Sequence, residues 1–273
     1  LVSPSTTTLY DVHASMRDVL YIAVSQSGSS PDLIESLDRA RASGATTLAV
    51  TNAPDSDLAR QSEFSVYVHA GTERSVAATK SYTAQLLSLF VLVEAIAGRQ
   101  GREASGLADL AAEILAQEAR IKDICCRYRF AEQIVVASRG YNYPTARESA
   151  LKLMETSYLV AHAFSGADLL HGPMAMIQKG FPVIAIIPPG HGGTALMPVM
   201  QRLRAQRADV LVVGSAEHSG AGTSWLHVVD QLPEVVSPLL LILPMQLFAW
   251  HLARARGIDP DVPAGLEKVT RTR

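Results

Sequence analysis

Residues Ser25-Gln26-Ser27-Gly28-Ser29-Ser30 put four hydroxyls, a side-chain amide and a glycine at one place. They follow the apolar run "LYIAV" and precede Pro31, a residue suited to the first turn of a helix. The unpaired amides of a helix start attract anions, and phosphate is the common one. Ser25, Ser27, Ser29 and Ser30 can add hydroxyl donors, and Gly28 lets the backbone come close to a ligand. The spacing is neither that of a Walker loop nor G-x-G-x-x-G, and the lack of Lys or Arg suits a monophosphate better than a polyphosphate. A capped turn with spare serines, or a flexible Ser/Gly segment, has the same composition.

Three further clusters could move protons or attack a carbonyl. Glu148, Lys152 and Glu155 fall at i, i+4 and i+7, which places them on one helix face. Such triads are usually solvated salt-bridge stripes, but this helix is otherwise apolar. A partly covered carboxylate beside a lysine can exchange protons near neutral pH. His171 precedes Gly172 and Pro173, so a turn presents its imidazole at an element boundary, in a structural or a proton-transferring role. Lys268 lies in the tail "DVPAGLEKVTRTR". It is either a solvated charge or, if covered by a folded tail, an amine able to form a Schiff base.

The elements that must position these groups are strand-helix alternations. "DVLYIAVS" (18–25) is expected to be a strand buried on both faces, and "SPDLIESLDRARASG" (30–44) a helix stopped by Gly44. "TTLAVT" (46–51) and "FSVYVHA" (64–70) follow as strands, and a long helix runs from about Val76 to Ala97. This order argues for a parallel sheet covered by helices. Residues 182–257 repeat it: "PVIAIIP" answers "LYIAVSQ", "DVLVVG" answers "TLAVTN", "LHVVD" answers "SVYVH", and 233–257 answers 72–98. The offset stays at about 160 residues, which implies two copies of an α/β domain. The second copy begins with an additional strand-turn-helix, 133–159, whose counterpart would lie before Leu1. The first copy is therefore expected to lack its first strand and helix, roughly 30 residues. With no Met at position 1, truncation is the expectation. The domains are read as 1–100, then 101–257 including a linking helix, then a tail, 258–273.

Composition narrows the classes. A 273-residue chain that is 48% hydrophobic can bury a large core. A net charge of −2 gives no electrostatic footprint for nucleic acid or anionic lipid. Adjacent Cys125 and Cys126 suggest neither a disulfide framework nor a zinc site, and the expected compartment is the reducing cytoplasm. "SPLLLILPMQLFAW" (237–250) is short for a membrane span and reads as a buried helix.

Five motifs, "SQSGSS", "ERSVAATKSYTAQL", "ARESALKLMETSY", "HGPMAMI" and "VPAGLEKVT", resemble the sugar isomerase (SIS) tandem of the isomerising amidotransferases and deaminases of hexosamine phosphates. The resemblance implies two Rossmann-like three-layer α/β/α domains, each with a central parallel sheet. It implies that Ser25, Gln26, Ser27 and Ser30 hold a sugar phosphate, Ser30 standing in place of the usual Thr. Val76, Ala77 and Ala78 would line the sugar pocket, Ala78 replacing a common Ser, and Glu267 would border the sugar. Glu155 would carry a proton between C1 and C2, with Lys152 steadying the enolamine. His171, from the neighbouring subunit of a homodimer, would open the sugar ring, and Lys268 would form the Schiff base at C2. Neither a metal nor an organic cofactor is implied.

Three functions are carried forward. The leading expectation is an isomerising deaminase that turns glucosamine 6-phosphate into fructose 6-phosphate and ammonia. The second is the isomerase part of glutamine–fructose-6-phosphate aminotransferase, and the third a sugar-phosphate-binding regulator without catalysis. Retention of Glu155, His171 and Lys268 together argues against the third, since a sensor needs no C-terminal nucleophile.

Overall fold

Short runs of β-branched residues between helices make two all-parallel sheets. The computed structural model describes residues 4–10, 14–262 and 264–265. The chain forms two compact units that part between Gly101 and Arg102.

The first unit contains α1 (Pro4–Thr8), β1 (Leu20–Ser25), α2 (Pro31–Ala42), β2 (Thr46–Thr51), α3 (Asp57–Gln61), β3 (Phe64–Tyr67) and α4 (Lys80–Ile96). Its strands lie in the order β1-β2-β3, with Leu20 opposite Thr46 and Leu48 opposite Phe64. One face buries Ala23, Leu37, Ala49 and Leu58; the other packs Leu48, Val50 and Val68 against Ala84, Leu89 and Leu92. Pro31 and Asp32 open α2, and Arg39 and Arg41 close it, which complements the helix dipole.

The second unit contains α5 (Leu107–Leu115), α6 (Glu118–Cys125), β4 (Gln133–Ser138), α7 (Tyr143–Ser157), β5 (Val160–Ser165), α8 (Gly166–Leu170) and β6 (Pro182–Ile187). It continues with α9 (His191–Ala205), β7 (Asp209–Gly214), β8 (Ser224–His227), α10 (Ser237–Leu241) and α11 (Leu243–Ala255). The strand order is β5-β4-β6-β7-β8. After its first residue each of β4, β6 and β7 is buried throughout, as expected of strands covered on both faces.

Several elements differ from expectation. β1 is not buried on both faces: only Ala23 is buried, while Leu20, Ile22 and Val24 are exposed. The equivalent strand of the second unit, β6, lies between β4 and β7, whereas β1 is an edge strand among the described residues. β3 ends at Tyr67 rather than at residue 70, because His69 takes a left-handed conformation with φ 51°. α4 starts at Lys80 rather than near Val76. β8 starts and ends earlier than the run 226–230. β5 is an additional edge strand that the apolar pattern did not announce, since His162 interrupts it. The apolar stretch near the C-terminus is also longer than expected: Glu234–Ala255 covers 22 residues, enough in length and composition to cross a membrane. It is packed inside the unit instead, with Leu240, Ile242, Phe248 and Leu252 buried.

Candidate functional site

The serine-rich turn occupies the carboxyl end of β1, the edge at which ligands bind in parallel α/β sheets. Gly28 has φ 63°, and a Cβ there would collide with the Ser56 side chain, so only glycine fits. Its amide donates to Ser25 Oγ at 3.1 Å, and the Ser29 amide donates to Ser27 Oγ at 3.3 Å. The turn is anchored from behind. The Asn52 amide donates to the Gln26 carbonyl at 3.2 Å, and the Leu58 amide to the Gly28 carbonyl at 3.1 Å. Ser30 occupies the N-cap position of α2, but its hydroxyl makes no capping bond. The helix start thus keeps donors that no side chain of the turn consumes.

Beside this turn, Gln26, Asn52, His69, Gly71, Thr72 and Glu73 line a cavity of about 550 Å³. Asn52 holds the segment after β3 from both sides, accepting from the Ala70 amide at 2.9 Å and donating to the Gly71 carbonyl at 2.7 Å. Glu73 is buried, and its Oε2 accepts from the Thr79 amide (3.2 Å), the Ser81 amide (3.1 Å) and Ser81 Oγ (2.7 Å). Burial works to raise the pKa of Glu73. The bonds from Ser81 and Thr79, with Lys80 nearby, outweigh it and leave the carboxyl below its ordinary value. Val76, Ala77 and Ala78 lie between these anchors, ahead of α4; the late start of that helix follows from Glu73 taking its first amides. Asn52, His69, Thr72 and Glu73 were not singled out from sequence. The signal available was their position just beyond the strands, in a stretch where polar residues crowd together.

The second unit carries the charged cluster on α7. The spacing of Glu148, Lys152 and Glu155 does bring them together: Lys152 Nζ lies 2.6 Å from Glu155 Oε2 and 3.3 Å from Glu148 Oε1. This is not a solvated stripe, since the Lys152 side chain is 5% exposed and that of Glu148 13%. Burial pushes the Glu148 carboxyl above its ordinary value, against the pull of Lys152. Glu155 is the more open carboxylate of the two, with a 24% exposed side chain. A buried ammonium between two carboxylates of unequal exposure suits a proton carrier held in one geometry. His171 caps the end of α8 and is exposed. Glu267 and Lys268 lie outside the described residues. Among the described residues no group of three or more His, Cys, Asp and Glu converges as a metal site.

A model of the SIS domain family matches residues 2–95 and 128–253. The glutamine–fructose-6-phosphate aminotransferase of Methanothermobacter thermautotrophicus is 34% identical over 263 residues, covering 95% of this chain and 44% of that protein. The aminotransferase of Escherichia coli K12 is 33% identical over 272 residues, covering 95% and 45%. The chain thus spans less than half the length of these relatives. Among solved structures, the C-terminal domain of glucosamine-fructose-6-phosphate aminotransferase from Francisella tularensis matches with a TM-score of 0.88 at 27% identity, over 95% of this chain and 77% of that one. Glucosamine-6-phosphate deaminase of Thermotoga maritima has a TM-score of 0.75 at 24% identity, over 98% and 80%, a likeness of fold.

Proposed function

The chain belongs to the SIS domain family, and on that premise we propose that it is the isomerase part of a glutamine–fructose-6-phosphate aminotransferase. The isomerising deaminase, the leading expectation from sequence, becomes the second reading. Aminotransferase relatives at 33–34% identity over most of this chain support the first, whereas the deaminase structure at 24% identity carries fold alone.

In this reading Ser25, Gln26, Ser27 and Ser30 grip the phosphate of a hexose 6-phosphate, helped by the open start of α2. The phosphate is remote from the reacting carbons, so its binding energy serves orientation. Glu155 takes a proton from C1 and returns it to C2, and Lys152 steadies both that carboxylate and the charge that develops on the enolamine. Lys268 condenses with the C2 carbonyl and water leaves, because the iminium withdraws electrons better than a ketone; ammonia then displaces the lysine and remains as the nitrogen on C2. Glu267 and Val76–Ala78 border the sugar. His171 acts on ring opening from the neighbouring subunit of a homodimer, whose site is then shared.

The observation that carries the reading is the buried Lys152 paired with Glu155 at 2.6 Å. The test is solvent exchange at C1. Wild-type protein incubated with fructose 6-phosphate in deuterium oxide should introduce deuterium at C1, followed by NMR. Glu155→Gln should slow this by about 100-fold or more while leaving sugar-phosphate affinity within a few-fold. Binding without exchange in the wild type would favour a sugar-phosphate regulator. Rapid release of ammonia from glucosamine 6-phosphate would favour the deaminase.

A further inference from the structure

Glu73 is a carboxylate with three donors on one oxygen and a place in the wall of the cavity beside the serine-rich turn. The start of α4 explains the arrangement. Thr79, at the N-cap position, does not cap with its own side chain, and Glu73 supplies the cap from six and eight residues upstream. The chain between must therefore close into a loop, and Val76, Ala77 and Ala78 are that loop. Three other bonds fix its entrance. Lys80 Nζ donates to the Thr72 carbonyl at 2.6 Å, and Asn52 brackets Ala70 and Gly71. An acceptor this buried is retained at a desolvation cost, so its three bonds must hold something that burial of a leucine would not.

We propose that Glu73 is a positioning residue for the sugar: its carboxylate clamps the loop carrying Val76–Ala78 and so sets the grip on the hexose, not on the phosphate. This rests on the proposed function, which places the sugar against that loop. The serine-rich turn is anchored by the Asn52 and Leu58 amides and the Thr51 hydroxyl, none of which bonds to Glu73. Sugar and phosphate binding are accordingly separable.

The experiment uses the full chain with Glu73→Ala and Glu73→Gln, and two probes, fructose 6-phosphate and inorganic phosphate. Glu73→Ala should speed hydrogen exchange at the amides of 75–81 while β2 amides keep their protection. It should weaken fructose 6-phosphate about 10- to 100-fold and inorganic phosphate less than about two-fold. Glu73→Gln, whose amide oxygen can accept the same bonds, should recover most of the affinity. Unchanged exchange at Thr79 and Ser81 overturns the clamp. Equal weakening of both probes, or a loosened loop with unaltered fructose 6-phosphate affinity, overturns the positioning role. A wild type that binds inorganic phosphate but no fructose 6-phosphate, with exchange still raised in Glu73→Ala, rejects the proposed function and supports the clamp.

Discussion

In the first unit a serine-rich turn leads from β1 into α2; in the second, Pro188–Gly190 leads from β6 into α9. The two turns occupy matching places in the repeat, and each bends at a glycine of positive φ, Gly28 at 63° and Gly190 at 78°. Their helix starts are filled differently. At α9 the carboxylate of Glu234 accepts from the His191 and Gly192 amides, each at 2.9 Å. At α2 the N-cap hydroxyl of Ser30 makes no capping bond, and among the described residues no carboxylate takes the place that Glu234 fills at α9. The repeat alignment matches Glu234 to Glu73, which turns instead to the start of α4. Both units thus contain the same anion-attracting helix start; the chain's own carboxylate closes the one at α9, and in the proposed function the one at α2 takes the sugar phosphate.

The contrast can be broken at three points. Gly28→Ala should have the largest effect, since the added methyl meets Ser56 at a φ that favours glycine. We expect a loss of about 2–4 kcal/mol in urea unfolding and no measurable fructose 6-phosphate binding by calorimetry. Unfolding unchanged within error would refute the stated role of the turn. Glu234→Ala comes second. It strips two amides of their acceptor and should cost about 1–3 kcal/mol. Added phosphate should then raise the melting temperature of the variant more than that of the wild type, because the second helix start has become an anion site. An equal response in both proteins would show that Glu234 fills no such role. Ser30→Ala is the finest probe: stability should move by less than about 0.5 kcal/mol because no cap is lost, while inorganic phosphate affinity drops about five-fold. Titration calorimetry reads the second quantity, and destabilisation without loss of affinity would make Ser30 a structural residue.

The sheets differ as the turns do. β6 has neighbours on both sides and is buried, whereas β1 repeats its apolar pattern with Leu20, Ile22 and Val24 exposed. An apolar run specifies that a strand can be buried, and only its neighbours decide whether it is.

Much of this molecule was legible from residue order. Continuous apolar runs announced β2, β4, β6 and β7, because a strand covered on both faces needs no polar alternation, and β1 carries the same kind of run although one of its faces is exposed. The repeat revealed the duplication, and the i, i+4, i+7 spacing put Glu148, Lys152 and Glu155 together, since helical periodicity is a local rule. β5 escaped because an edge strand tolerates a histidine, and the start of α4 escaped because its cap comes from a distant side chain. What tertiary structure alone decided is which helix start each glutamate fills. Glu73 and Glu234 are the same residue type at matching places, and their destinations depend on loop paths through space, to which no local pattern in the chain is coupled.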